Sequence, residues 1–395
     1  MNKTVSASDQ GGPFIRTDKG DIHGDQNHPP NSEKTLISEM QAGIRRIIEN
    51  RWRSYFPGLA GGSAPAVVCR KGADIRGYSV LLRYQLVFPG AGTKWIIAKI
   101  RRESHFGRYQ KNEISEKAIS LCLAEYEGLS RAERTFSDRG PCLKVVKPFD
   151  YLSEYNALLV EQAKGCDLGI LAKAEPPDCL LHFHRCGEWL RIFHHEVYGA
   201  YRKVWDASQY EARLMRWNER LAENGVPMTR LDPMIASVLS LVRALFRPEV
   251  PCSMLHGDYK LRHVWASSDG IEVFDFGNLY EGECYSDVAA FLVELEVLSL
   301  ARPWFAPEKI KAYAAAFLNG YFDNQPIPSI LSLYIIDGLL KKWDRRLKRW
   351  SSHRSVIYAQ NWLRHFGASA AVDRFYLDRW FASRIEKQLT SRNKA

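Results

Sequence analysis

The sequence predicts an α+β fold in two lobes: a small antiparallel sheet carrying one long helix, then a larger, mainly helical body. Three observations carry this expectation. The 395 residues, 46% of them hydrophobic, supply ample core for two or three folding units. Segments rich in β-formers concentrate before residue 163, whereas long helical patterns dominate after Gly165. Strands segregated from helices in this way argue against an alternating α/β sheet.

The elements follow in chain order. Residues 1–33 are rich in Gly, Pro, Asp, Asn and Ser and lack hydrophobic periodicity, so they read as a disordered tail. His23 and His28 fall in it as solvated histidines. A capped helix is expected from Ser32, with Leu36, Met40, Ile44 and Ile48 at helical spacing. Segments 66–69, 78–88 and 95–100 then read as strands of one antiparallel sheet, separated by Gly-containing turns. A helix over 112–136 and strands over 143–149 and 157–160 complete the first lobe. Beyond Gly165 the only expected interruption of the helices is 254–276.

Lysine plus arginine outnumber aspartate plus glutamate 55 to 45, for a net charge of +10, which favours anionic partners. The eight cysteines are scattered without a CxxC pair, as expected of reduced thiols in the cytoplasm. No apolar run approaches the roughly 18 residues that span a bilayer; the nearest, 288–300, is interrupted by Glu294 and Glu296. A cytoplasmic protein, at most peripheral to an anionic membrane, is expected.

The chemistry concentrates in His256-Gly257-Asp258-Tyr259-Lys260-Leu261-Arg262-His263 and in Asp275-Phe276-Gly277. Between them, Ser267, Ser268, Asp269 and Gly270 form a turn joining two apolar β-forming runs, a hairpin pattern. Such a hairpin brings Asp258, His263 and Asp275 to one end. Two carboxylates and a third ligand can hold a divalent cation and orient a hydroxyl for attack on a phosphate. In the helix before it, Ile114, Ala118, Leu121, Glu125 and Leu129 share one stripe, so Glu125 points inward and Glu127 outward. A buried carboxylate requires a partner, and Lys99, ending the apolar strand Trp95-Ile96-Ile97-Ala98, is the candidate.

This pattern, HGDxxxx[N/H] followed by a hairpin and DF, resembles the aminoglycoside and macrolide phosphotransferase family, small-molecule kinases of the protein-kinase-like fold. It is also similar to the HRDxKxxN and DFG signatures of protein kinases. The resemblance implies a two-lobed kinase-like fold, with residues 34–163 as nucleotide-binding lobe and 164–395 as catalytic and substrate-binding lobe. It implies transfer of the γ-phosphoryl group of ATP, or of GTP, to a hydroxyl of a small molecule or glycan, with Mg²⁺ or Mn²⁺. Asp258 would be the catalytic base, Lys260 would neutralise the transferring phosphoryl, and Asp275 would bind the metal. Asp287, twelve residues beyond Asp275, would brace the catalytic loop together with His256. Lys99 would grip the nucleotide phosphates, paired with Glu125. The run from Gly72 to Gly77 would cover the phosphates or form an ordinary hairpin turn, and backbone groups near Glu161 and Ala163 would meet adenine. His263 stands where most relatives carry asparagine, although macrolide phosphotransferases are similar in having histidine. Imidazole is a softer ligand than an amide oxygen, so the second metal position is weaker, filled by manganese or absent. Alternatively, His263 only bonds a neighbouring carboxylate. A non-catalytic nucleotide-binding scaffold is the rival reading; nucleic-acid binding rests on charge alone.

Two further signals stand apart. His182, His184, His194 and His195 lie near Cys179 and Cys186 without HExxH or CxxC spacing, so zinc is not expected; the family resemblance implies a structural role for His194. Ile336, Leu340, Trp343, Leu347 and Trp350 form an apolar stripe flanked by Lys341, Lys342, Arg345, Arg346, Lys348 and Arg349. This fits a surface helix packed on the core, or one docking on an anionic membrane or phosphorylated glycan. A cationic C-terminal region disfavours a polycationic aminoglycoside as acceptor, although Glu281, Glu283 and Asp337 could supply local negative charge.

Overall fold

The computed structural model describes residues 31–70, 72–76, 78–102, 114–245, 248–301, 307–351 and 370–390. Helix α1 (Asn31–Tyr55) takes in residues 31–33, which composition had assigned to the tail; the rest of that segment, with His23 and His28, lies outside the described residues. One face of α1, Ile37, Met40, Ile44, Ile48 and Trp52, is buried, as its spacing requires.

That face packs on a sheet built from β1 (Ala66–Cys69), β2 (Asp74–Ile75), β3 (Ser79–Phe88) and β4 (Gly92–Arg101). Alternation decides which side chains it meets. Val80, Leu82, Tyr84 and Leu86 of β3 and Ile96, Ala98 and Ile100 of β4 are buried in the core shared with α1. The alternate residues of β4, Ile97, Lys99 and Arg101, face the other way and are half-buried. Helix α2 (Glu116–Ser137) begins at a Ser115 cap whose Oγ accepts from the Ala118 amide at 3.2 Å.

The run 143–149 is two strands rather than the single one expected. The Val146 amide donates to the Val273 carbonyl at 3.0 Å, whereas the Lys147 carbonyl accepts from Glu161 at 2.8 Å, so the chain changes sheets between these residues. β5 (Leu143–Val145) therefore leaves the first sheet, while β6 (Pro148–Leu152) stays and pairs with β7 (Ala157–Glu161). The first sheet has the order β1-β3-β4-β7-β6, antiparallel throughout, with β2 on β3.

After β8 (Cys166–Asp167) come α3 (Leu168–Ala174) and α4 (Cys179–Ile192), which runs into a π-helical turn at Phe193–Val197. Then follow β9 (Tyr201–Val204), α5 (Ala207–Glu223), α6 (Met228–Ala244) and β10 (Glu249–Leu255). β11 (Val264–Ser267), β12 (Gly270–Val273) and β13 (Tyr280–Glu283) precede α7 (Tyr285–Ala301), α8 (Pro307–Phe322) and α9 (Leu331–Ser351). The last described helix is Ala370–Thr390. The helical region is thus interrupted more often than expected: β9 is exposed along its whole length and offers no alternation to read.

Two small sheets, β13-β10-β9 and β5-β12-β11-β8, frame the catalytic segment. The expected β11–β12 hairpin is present, with Val264 opposite Val273. A second and larger core gathers α4, α7, α8 and α9 and reaches into α2 through Leu129, Ala132 and Phe136. Ile336, Leu340, Trp343 and Leu347 of α9 are buried in it, while Lys341 and Arg345 remain exposed. No helix among the described residues is long and apolar enough to cross a membrane.

Candidate active site

Strand β10 delivers the chain into His256-Gly257-Asp258, and the buried carboxylate of Asp287 fixes it there. Its two oxygens accept the backbone amides of His256 (2.7 Å) and Gly257 (3.1 Å). The π-helical turn places His194 behind this carboxylate. His194 Nε2 lies 3.3 Å from Asp287 Oδ2, and Nδ1 lies 3.0 Å from the Tyr321 hydroxyl. A π turn at such a place is a common mark of a functional constraint. Gly257 has φ +74°, and a Cβ there would collide with the Asn278 carbonyl, so only glycine fits.

Two rings anchor the loop. His256 is fully buried and its Nε2 donates to the Phe274 carbonyl at 3.2 Å; burial pushes its pKa below the usual value, so it is a neutral tie to the strand before Asp275. Tyr259 stacks on Trp189 (centroids 5.5 Å apart) and donates its hydroxyl to the Cys186 carbonyl at 2.9 Å. Its neighbours Asp258 and Lys260 keep 34% and 12% side-chain exposure, and Lys260 Nζ donates to Asp258 Oδ2. Burial lowers the Lys260 pKa, and Asp258 offsets part of that shift.

The hairpin brings His263 and Asp275 to Asp258. His263 Nδ1 lies 3.0 Å from the Asp258 carbonyl, which can only accept, so Nδ1 carries the proton. Burial lowers the His263 pKa to about 3, which leaves the ring neutral and Nε2 with a lone pair. That lone pair faces Asp275 Oδ2 at 3.2 Å. Two lone pairs turned toward each other call for a cation between or beside them, which suits a metal ion. Ligand atoms of Asp258, His263 and Asp275 all lie within 4.8 Å of one another, the one such set found among the described residues. Asp275 has φ +71°, a strained conformation for a non-glycine residue of the kind that clusters at functional sites.

Lys99 closes the site from β4. Its Nζ donates to Glu125 Oε1 at 2.7 Å and to Asp275 Oδ1 at 2.6 Å. Burial works against the ammonium, but the carboxylates of Glu125 and Asp275 outweigh it and hold the Lys99 pKa above the ordinary lysine value. Burial would likewise raise the Asp275 pKa, yet the Lys99 ammonium brings it well below the usual range. Glu125 is 2% exposed, and Glu127 is on the solvent side, as the stripe required.

The remaining expected residues sit as follows. The Glu161 amide is taken by the Lys147 carbonyl, and that of Gln162 by Trp95 at 3.2 Å. Among the described residues no acceptor is bonded to the Ala163 amide. Gly72 (φ +90°) precedes β2, which pairs with β3, and the Arg76 amide donates to the Ser79 carbonyl at 2.8 Å. Gly77 lies outside the described residues. His182 Nε2 is 3.0 Å from Asp178, away from the carboxylate cluster. Sequence reasoning overlooked Arg101. Its Nη1 lies 3.6 Å from Glu125 Oε2, and its Nη2 donates to the Gly277 carbonyl at 3.2 Å. The available signal was its place two residues beyond Lys99, on the same strand face.

Replacing Asp287 by alanine orphans the buried His256 amide, frees that of Gly257 and removes the partner of the buried His194, and should destabilise the protein by about 3 kcal/mol. It should also lower turnover through the loosened Asp258. Denaturant unfolding beside a turnover assay measures both, and an unfolding midpoint equal to that of the parent would count against the brace.

The family model described as the phosphotransferase enzyme family matches residues 124–327. No curated protein matches the sequence. Among solved structures, a glucosamine kinase in complex with glucosamine, ADP and inorganic phosphate is 17% identical, with 85% of this chain and 84% of that one covered at a TM-score of 0.50. A choline/ethanolamine kinase family protein from Mesorhizobium loti is 14% identical, with 87% and 94% covered and a TM-score of 0.47. A choline kinase from Cryptosporidium parvum Iowa II is 11% identical, with 90% and 97% covered and a TM-score of 0.47.

Proposed function

The chain belongs to the phosphotransferase enzyme family, with the two-lobed, protein-kinase-like α+β fold, and from that premise we propose that it moves the γ-phosphoryl group of ATP, or of GTP, to a hydroxyl of a small molecule or glycan. One observation supports the reading above others: the ligand atoms of Asp258, His263 and Asp275 converge within 4.8 Å beside the Lys99 ammonium.

Asp275 and His263 would hold a divalent cation, Mg²⁺ or the more imidazole-tolerant Mn²⁺. When bound, it supplies charge neutralisation for the phosphate oxygens. Lys99 is the cation for the nucleotide phosphates, and the Ala163 amide is a free donor for adenine. Lys260 occupies Oδ2 of Asp258, leaving Oδ1 to accept the proton of the acceptor hydroxyl. As that proton passes to Asp258, the acceptor oxygen forms its bond to the γ-phosphorus and the bond to the β–γ bridging oxygen breaks, releasing the diphosphate. Positioning and charge compensation account for most of the acceleration, because the transition state is loose.

The test joins calorimetric titration of ATP with Mg²⁺ or Mn²⁺ to transfer of labelled phosphate into pools of hydroxylated metabolites and glycans. Metal-dependent labelling of an acceptor is expected. Nucleotide binding without transfer to any acceptor would favour a non-catalytic scaffold.

The acceptor site favours a neutral sugar or glycan over a polycation. Lys341 feels Asp258, and Asp337 more strongly, but also the like charges of Arg345 and Lys342, and Lys341, Arg345 and Arg262 are all exposed. N-acetylglucosamine should therefore be used with a kcat/KM about fivefold above that of glucosamine, and Lys341→Glu should narrow the gap. A preference for glucosamine in the parent enzyme would remove this assignment.

A further inference from the structure

Glu125 is a buried carboxylate with two cations on it, while the cleft chemistry just described needs only one. Lys99 is shared between Glu125 and Asp275, so its one ammonium compensates Glu125 only in part. An unpaired buried carboxylate is costly. Arg101 is placed to meet that cost. Its side chain is 15% exposed, with Nη1 facing Glu125 Oε2 at 3.6 Å, an oxygen that is buried and makes no hydrogen bond. The same guanidinium donates from Nη2 to the Gly277 carbonyl, two residues past Asp275. The strand itself is fixed at this point, since the Arg101 amide donates to the Asn156 carbonyl at 3.2 Å.

Gly277 completes the arrangement. A Cβ at this position would lie 2.6 Å from Arg101 Nη1 and 3.0 Å from Glu125 Oε2. Glycine is thus what lets the guanidinium and the carboxylate close over the turn that carries Asp275.

We infer that Arg101 is a positioning residue: it latches the Asp275–Gly277 turn onto α2 and completes the neutralisation of Glu125 beside Lys99. The inference rests on the proposed phosphotransfer reading for its purpose, but its geometry concerns the ligand-free chain. Arg101 touches neither substrate nor reacting atoms; it acts through Asp275 and Glu125.

Three variants test it. Arg101→Met removes both contacts, Arg101→Lys retains charge at Glu125 without the fork that reaches Gly277, and Gly277→Ala crowds the latch with Arg101 in place. Hydrogen exchange over 275–279 in the ligand-free protein should rise about tenfold in Arg101→Met and Gly277→Ala, with Arg101→Lys in between. Calorimetric titration of Mn²⁺ into the protein saturated with AMP-PNP should give a dissociation constant about tenfold weaker in the same order, the scale on which groups that orient metal ligands act. Unchanged turn exchange in Arg101→Lys and Gly277→Ala overturns the latch, whether or not Arg101→Met folds. If the parent protein binds no Mn²⁺ or nucleotide, the phosphotransfer reading fails, while the exchange measurement still decides the latch.

Discussion

Asp275→Ala is expected to abolish metal-dependent nucleotide turnover, by about a thousandfold or more, since losing a carboxylate that holds the cation removes several kcal/mol of charge stabilisation. The fold should survive. Lys99 keeps Glu125 at 2.7 Å, so neither buried charge is stranded. Alanine does carry a penalty of about 1 kcal/mol in the left-handed conformation that residue 275 adopts. Asn tolerates that conformation and serves as the control. Asp275→Asn should melt close to the parent yet remain nearly inactive, separating the ligand role from backbone strain. Steady-state turnover against Mg²⁺ and Mn²⁺, with thermal unfolding alongside, measures both. Near-normal rates in either variant, with contaminating ATPase excluded, would reject the role given to this carboxylate.

Asp258→Asn should lower kcat by about 100- to 10,000-fold, the usual cost of removing a general base, and leave nucleotide affinity in place. The amide oxygen can still accept from Lys260, and the loop is held by Asp287, His256 and Tyr259 rather than by residue 258. What disappears is the acceptor of the hydroxyl proton. A calorimetric isotherm like the parent's, combined with a collapsed rate, is the expected pair of results. Unimpaired phosphoryl transfer would show that the hydroxyl needs no base at this position.

Much of the site was legible because its signals are short-range. The spacing from His256 to His263, the four-residue turn of the hairpin and Asp275 beyond it bring three ligands together through local structure alone. Glu125 could be read as inward from its own helix, and Lys99 from its own strand. The elements that were missed depend on distant partners. β5 separates from β6 because Leu143–Val145 pairs in parallel with β12, far along the chain, and no local pattern announces such a partner. β8 has two residues and β9 is exposed throughout, so their strand conformation comes from pairing with β11 and β10. Arg101 carries no local signal beyond its strand face, because its partner is the Gly277 carbonyl, 176 residues away.

Helix α2 is threaded through the first half of the chain, yet Cys122, Leu129, Ala132 and Phe136 share their core with α4 and α7, and Phe136 stacks face to face with Trp189 at 4.9 Å. The same helix also rests on β4, β6 and β7 of the first sheet. It is thus a beam shared by both cores, and the Lys99–Glu125 contact fastens the strand to it. Loosening that fastening by Glu125→Gln should show as a wider spread of distances between spin labels on β3 and α2.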